Sequence, residues 1–190
     1  MKSLIKQKPA FLLVFLSLYA STSHSADISA GEKKTSACIG CHGKKGVSTN
    51  SQWPNLAGQQ PSYLIAQLKA FKNGSRKNPT MQGMVASLSD DDFVNLAAYY
   101  ASLELGSAGG DSALIEKGKE KFAMCAGCHG SDAKGRGNFP ALAGQHPKYI
   151  ATQLENFKTG KRDGGPMAAL SSNLSSPEIT AISAYLGSLK

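Results

Sequence analysis

Cys38-Ile39-Gly40-Cys41-His42 and Cys125-Ala126-Gly127-Cys128-His129 contain all four cysteines of this 190-residue chain, in one pattern written twice, 87 residues apart. The repetition runs outward from them. Trp53-Pro54-Asn55-Leu56-Ala57-Gly58-Gln59 recurs as Phe139-Pro140-Ala141-Leu142-Ala143-Gly144-Gln145, now 86 residues later. At that offset Tyr63, Gln67, Phe71, Arg76 and Met81 map onto Tyr149, Gln153, Phe157, Arg162 and Met167, and Ala98-Tyr99 maps onto Ala184-Tyr185. One residue is lost between the His and the Pro, and the register then holds to the C-terminus. The chain is therefore a duplicated unit of about 80 residues, too few copies for a solenoid. Gly106 to Ser112 (GSAGGDS) reads as the linker. The expected organisation is a leader over 1–26, a first domain over 27–105, a linker over 106–112 and a second domain over 113–190.

Each copy reads as helical. Helix formers lead into both cysteine pairs, over about 29–38 and 113–125. Residues 62–73 and 148–159 place Tyr, Leu and Phe at helical spacing after a Pro. Ser89 stands three before Asp92, and Ser175 three before Glu178, each a capping-box start for a last helix. The segments between are read as Gly-rich loops, and no alternating strand pattern stands out. The fold class expected is all-α, two tandem domains.

Cys-x-x-Cys-His is the attachment signature of c-type haem. Two thiols one helical turn apart reach the two vinyl groups of one porphyrin and form thioethers. The adjacent His lies under the iron as a proximal ligand. Cys38, Cys41, Cys125 and Cys128 are thus expected to hold two covalent haems, with His42 and His129 on the irons. A zinc site would need four ligands, and an 87-residue gap is far from zinc-ribbon spacing. A redox dithiol calls for a βαβ context that is absent. Structural disulfides leave the His after each pair unexplained.

A Met thioether on the other side of the iron favours electron transfer over ligand chemistry. Met81 and Met167 sit at matching places, each seven residues before a Leu-Ser helix start. Met84 matches Leu170 and reads as a wall of the pocket; Met124 matches Ala37 and reads as core filler. The carbonyls of Pro54 and Pro140 are candidates to accept the Nδ1 protons of His42 and His129 and fix the rings. Trp53 and Phe139 are expected beside the porphyrin. Tyr63, Tyr149, Arg76 and Arg162 are candidates for its propionates. His146, opposite Gln60, reads as a surface residue.

The N-terminus carries Lys2, Lys6 and Lys8, an apolar run from Ala10 to Ala20, and a small polar stretch to Ala26, which together read as a secretory signal peptide. The apolar run is short for a membrane span. The formal charge of +8 includes those three lysines, so 18 basic against 13 acidic residues remain, a net +5. Export and scattered charge exclude a nucleic-acid partner.

These motifs resemble class I cytochromes c, and their doubling resembles the dihaem cytochrome c₄ family over nearly the whole mature chain: Cys38–His42, Trp53–Gln59, Met81–Met84, the Gly-rich linker and their second-copy partners. The resemblance implies two class I cytochrome c domains related by pseudo-two-fold symmetry, each wrapped around one covalent haem c, with propionate edges facing across the interface. It implies one-electron shuttling in the periplasm, with loose membrane association, between redox partners such as a quinol-oxidising complex and a terminal oxidase of the cbb₃ type. Some family members have one acidic half. Here the formal charges are +2 for 27–105 and +3 for 106–190. A dihaem peroxidase would leave one iron open, which a Met in each copy opposes. A cytochrome subunit of a dehydrogenase or oxidase complex shares every feature above.

Overall fold

The computed structural model describes residues 25–190, so the leader lies outside the described residues apart from its last two positions. In the first copy α1 (Ile28–Lys34) passes through a 3₁₀ turn (Thr35–Ala37) into α2 (Ile39–His42), followed by α3 (Pro61–Lys72), α4 (Pro79–Val85) and α5 (Asp90–Ala101). The second copy repeats the order: a 3₁₀ turn (Ser112–Leu114), α6 (Ile115–Phe122), α7 (Ala126–His129), α8 (Pro147–Lys158), α9 (Pro166–Ser172) and α10 (Ser176–Ser188). Among the described residues the only extended pairing is one isolated bridge, Arg136 with Phe139. α4 and α9, which carry Met81 and Met167, stand where sequence pattern gave loops. They are seven residues long, too short for a periodic signal, and both begin at a proline.

The frame of each domain is a crossing of its first and last helices, α1 on α5 and α6 on α10. Glycine makes the crossing close. A Cβ at Gly31 would lie 2.1 Å from the Asn95 carbonyl oxygen, and one at Gly118 would lie 2.0 Å from that of Ala181. The capping boxes expected at Ser89/Asp92 and Ser175/Glu178 are both formed. Each acid also ties its crossing, through Lys34–Asp92 at 3.0 Å and Lys121–Glu178 at 2.9 Å. The middle helix closes the core: Leu64 of α3 packs with Leu96, Ala97, Tyr99 and Tyr100, and Ile150 and Leu154 of α8 pack with Ile179, Ile182 and Leu186.

The domains meet through reciprocal bonds. The Gln145 side chain accepts from the Asn55 backbone N–H at 2.8 Å and donates to its carbonyl at 2.9 Å. Its counterpart Gln59 does the same to Ala141, at 2.8 and 3.0 Å. Asn55, Gln59 and Gln145 are all buried. One expectation is corrected here. His146 is 9% exposed, not on the surface, and its Nε2 donates to the Ser48 carbonyl of the other domain at 3.0 Å. Docking of the two copies covers it, and no pattern within one copy reports that.

Candidate haem sites

Each cysteine pair lies on a single turn whose last residue is the buried histidine. His42 N–H and His129 N–H both bond back to the carbonyl of the first cysteine, at 2.9 and 3.1 Å. This places the two thiols three residues apart on one face, with the imidazole next to them. No disulfide joins any of the four cysteines, which leaves each sulfur available for a thioether.

The imidazoles are held in one state. His42 Nδ1 is 2.9 Å from the Pro54 carbonyl and His129 Nδ1 is 3.0 Å from that of Pro140. A carbonyl only accepts, so Nδ1 carries the proton and Nε2 keeps a lone pair. Burial pushes both histidines below their ordinary range, against the opposing effect of the carbonyl bond, so the rings are neutral. A neutral imidazole with one nitrogen fixed and the other free is the donor an iron needs.

Met81 is partly buried against Phe71, Val85 and Phe93, a cluster that shares Leu88 with the one bordered by Cys38. In the second copy Cys125 and Met167 border a single cluster. Met84 is 40% exposed and its counterpart Leu170 is 36% exposed. Trp53 and Phe139 are exposed too, with Phe139 edge-on to His129 at 6.3 Å between ring centres. Large apolar side chains exposed at matching places in both copies, one of them edge-on to its histidine, fit a flat apolar group such as haem held by the thiols and the imidazole.

Arg76 and Arg162 cross the interface. Arg76 donates to Tyr149 Oη and Gln153 Oε1, both at 3.0 Å, and Arg162 to Tyr63 Oη at 3.0 Å and Gln67 Oε1 at 2.9 Å. The four residues proposed from sequence as propionate partners therefore form one symmetric cluster. Gln67, Gln153 and His146 belong to the interface as well, and sequence reasoning gave them no role. For the glutamines the signal was available, since Gln67 and Gln153 match at the common offset.

A helical domain built twice around such a turn is a duplicated class I cytochrome c. Comparison with known proteins agrees at both ends: residues 27–99 match the model for cytochrome c oxidase, cbb3-type, subunit III, and residues 115–190 match that for cytochrome c. The chain is 36% identical to cytochrome c4 of Pseudomonas aeruginosa, over 94% of this chain and 96% of that protein. It superposes on reduced recombinant cytochrome c4 from Pseudomonas stutzeri with a TM-score of 0.84 and 35% identity, over 87% of this chain and all of that one. A thiosulfate dehydrogenase electron acceptor of Thiomonas intermedia is 35% identical, over 76% of this chain and 73% of its own length. The chain belongs to the cytochrome c4 family. It is an electron-transfer protein with two covalently bound haem c groups, and not an enzyme.

Proposed function

We propose that the protein is an exported, periplasmic carrier that takes up one electron per domain and delivers it within a respiratory chain to a terminal oxidase. The observation that carries this reading is the duplicated turn in which two thiols adjoin a neutral, carbonyl-fixed imidazole. Cys38 and Cys41, and Cys125 and Cys128, are the attachment residues, with His42 and His129 as one axial ligand and Met81 and Met167 as the other. Residues 27–105 and 113–190 are the two haem-binding domains. When bound, each haem supplies a ferric–ferrous couple. The chain fixes the axial rings, excludes water through α3, α5, α8 and α10, and leaves Trp53 and Phe139 at the rim where a partner docks. Export is supported by the leader reading, and among the described residues no helix is long and apolar enough to cross a membrane.

A second reading, service as the acceptor or subunit of a dehydrogenase, is favoured by the likeness to a thiosulfate dehydrogenase electron acceptor. Stopped-flow kinetics separate the two. The first predicts rapid oxidation of the reduced protein by membranes containing a terminal oxidase; the second predicts rapid reduction by a dehydrogenase and slow oxidation by those membranes.

A further inference from the structure

Tyr100, in the last turn of α5, differs from its counterpart in a way that position 46 matches. It is 3% exposed, and the residue 86 positions later is Leu186. The ring fits because residue 46 is glycine: a Cβ there would lie 2.8 Å from Tyr100 Cδ1 and 3.0 Å from Cε1. The equivalent residue of the second copy is Ala133, which holds the same left-handed backbone at φ 56° against the smaller Leu186. Glycine goes with tyrosine in one domain and alanine with leucine in the other.

This exchange of volume explains the ring and leaves the hydroxyl unexplained. Phenylalanine would fill the same space. The Tyr100 Oη is buried and has no hydrogen-bond partner in the polypeptide, a state shared among the described residues only by Ser171 Oγ. An unsatisfied buried hydroxyl costs about 1–3 kcal/mol, so its position calls for an acceptor that the haem-free polypeptide does not supply. The Cys38 side chain packs against the cluster that contains Tyr100. Burial, and then the neighbouring Cys38 thiol, pushes the phenol well above its ordinary range, so it remains a protonated donor.

We propose that Tyr100 is a positioning residue that raises the reduction potential of the first domain by donating its hydroxyl proton to the thioether sulfur formed at Cys38. The inference rests on Cys38 being an attachment residue. Donation to that sulfur draws electron density from the porphyrin edge, and the positive end of the O–H dipole faces a group that is more positive when oxidised. Both effects favour the reduced state. Leu186 offers no such dipole to the second domain.

The test uses the haem-loaded protein and two variants, Tyr100→Phe and the second copy's pair transplanted, Gly46→Ala with Tyr100→Leu. A redox titration followed by paramagnetically shifted NMR signals assigns each potential to its domain. Both variants should lower the equilibrium constant for reduction of the first domain about threefold, as loss of a neutral hydrogen bond gives, with the second domain nearly unmoved. A slowly exchanging hydroxyl proton signal, hyperfine-shifted in the oxidised protein, should be present in the wild type and missing from Tyr100→Phe. An unchanged first-domain potential in Tyr100→Phe, or a change confined to the second domain, overturns the role of Tyr100. A pyridine haemochrome spectrum of the wild type with fewer than two thioether-linked haems would instead overturn attachment itself.

Discussion

The choice between Met81 and Met84 turns on single residues. They stand three apart on α4, on neighbouring parts of the helix surface. Met81 is turned inward on Phe71, Val85 and Phe93, whereas Met84 is exposed, and the second copy repeats the pattern with Met167 inward and Leu170 outward. Leucine cannot ligate iron, so the proposed ligand is the inner methionine of each copy, with the outer position proposed as a pocket wall. Met81→Leu should halve the far-red band that reports sulfur on ferric iron, let carbon monoxide bind one haem, and lower that domain's potential. Met84→Leu should leave the band intact, since the second copy already holds leucine at the matching exposed place. Absorption spectra of the oxidised and carbon-monoxide-treated variants decide it, and a band lost in Met84→Leu alone would reverse the assignment. The inward and outward places of this helix were legible because duplication shows each position twice. His146 and Tyr100 were less so. His146 differs from Gln60, and only the docked partner domain buries it. The Tyr100–Leu186 difference was in the sequence, but its meaning needs Gly46 and Ala133 beside it.

Helix frames depend on contacts that a sequence states unequally. The capping boxes were legible because a serine and an acid three residues apart carry out one local function. The helices α4 and α9 were not, because seven residues hold less than two turns of period and a glycine interrupts the first. Gly31 and Gly118 were silent too, since closeness of crossing is a tertiary property. Gly118→Ala would force a methyl group to within 2.0 Å of the Ala181 carbonyl oxygen, so α6 and α10 must separate. Overpacking of this order costs about 1–3 kcal/mol or more, and a lower denaturant midpoint with an unchanged slope should report it. The cap of α10 adds a pH signature. The Ser175 backbone N–H, then Lys121 and the Ser175 hydroxyl, hold Glu178 at about 2, below its ordinary 4.5. A depressed carboxyl contributes stability that is complete above the unfolded value and is lost as pH falls from about 4.5 towards 2. The melting-temperature gap between the wild type and Glu178→Gln should therefore be full above pH 5 and close as the pH nears 2. A gap constant across that range would remove the cap from the acid response.

On the scale of the whole molecule, the two domains are joined by more than the stretch between them. Gln59 and Gln145 each treat the opposite backbone as a strand neighbour would, accepting from an N–H and donating to the carbonyl of the same residue. Every one of these groups is buried or nearly so, which makes the joint sensitive: a donor and an acceptor left unpaired in such a place cost about 1–3 kcal/mol each. Arg76 and Arg162 add the crossed bonds to Tyr149, Gln153, Tyr63 and Gln67. Such a joint would hold the two proposed haem sites at one separation. An electron on one domain should then make the other harder to reduce, because charge is felt strongly through a partly dry interface. Gln145→Leu tests the connection without touching either haem site. It keeps the bulk of the side chain, leaves the Asn55 N–H and carbonyl unpaired, and spares the α6–α10 core. The difference between the second domain's potentials, measured with the first oxidised or reduced, should shrink. Cleavage by protease between 106 and 112 should become faster, and two c-type haems should remain. The double variant with Gln59→Leu should go further in both measurements. If the interaction between the centres survives the double variant undiminished, the reciprocal glutamine bonds are not what holds them together, and the arginine–tyrosine cluster alone sets their separation.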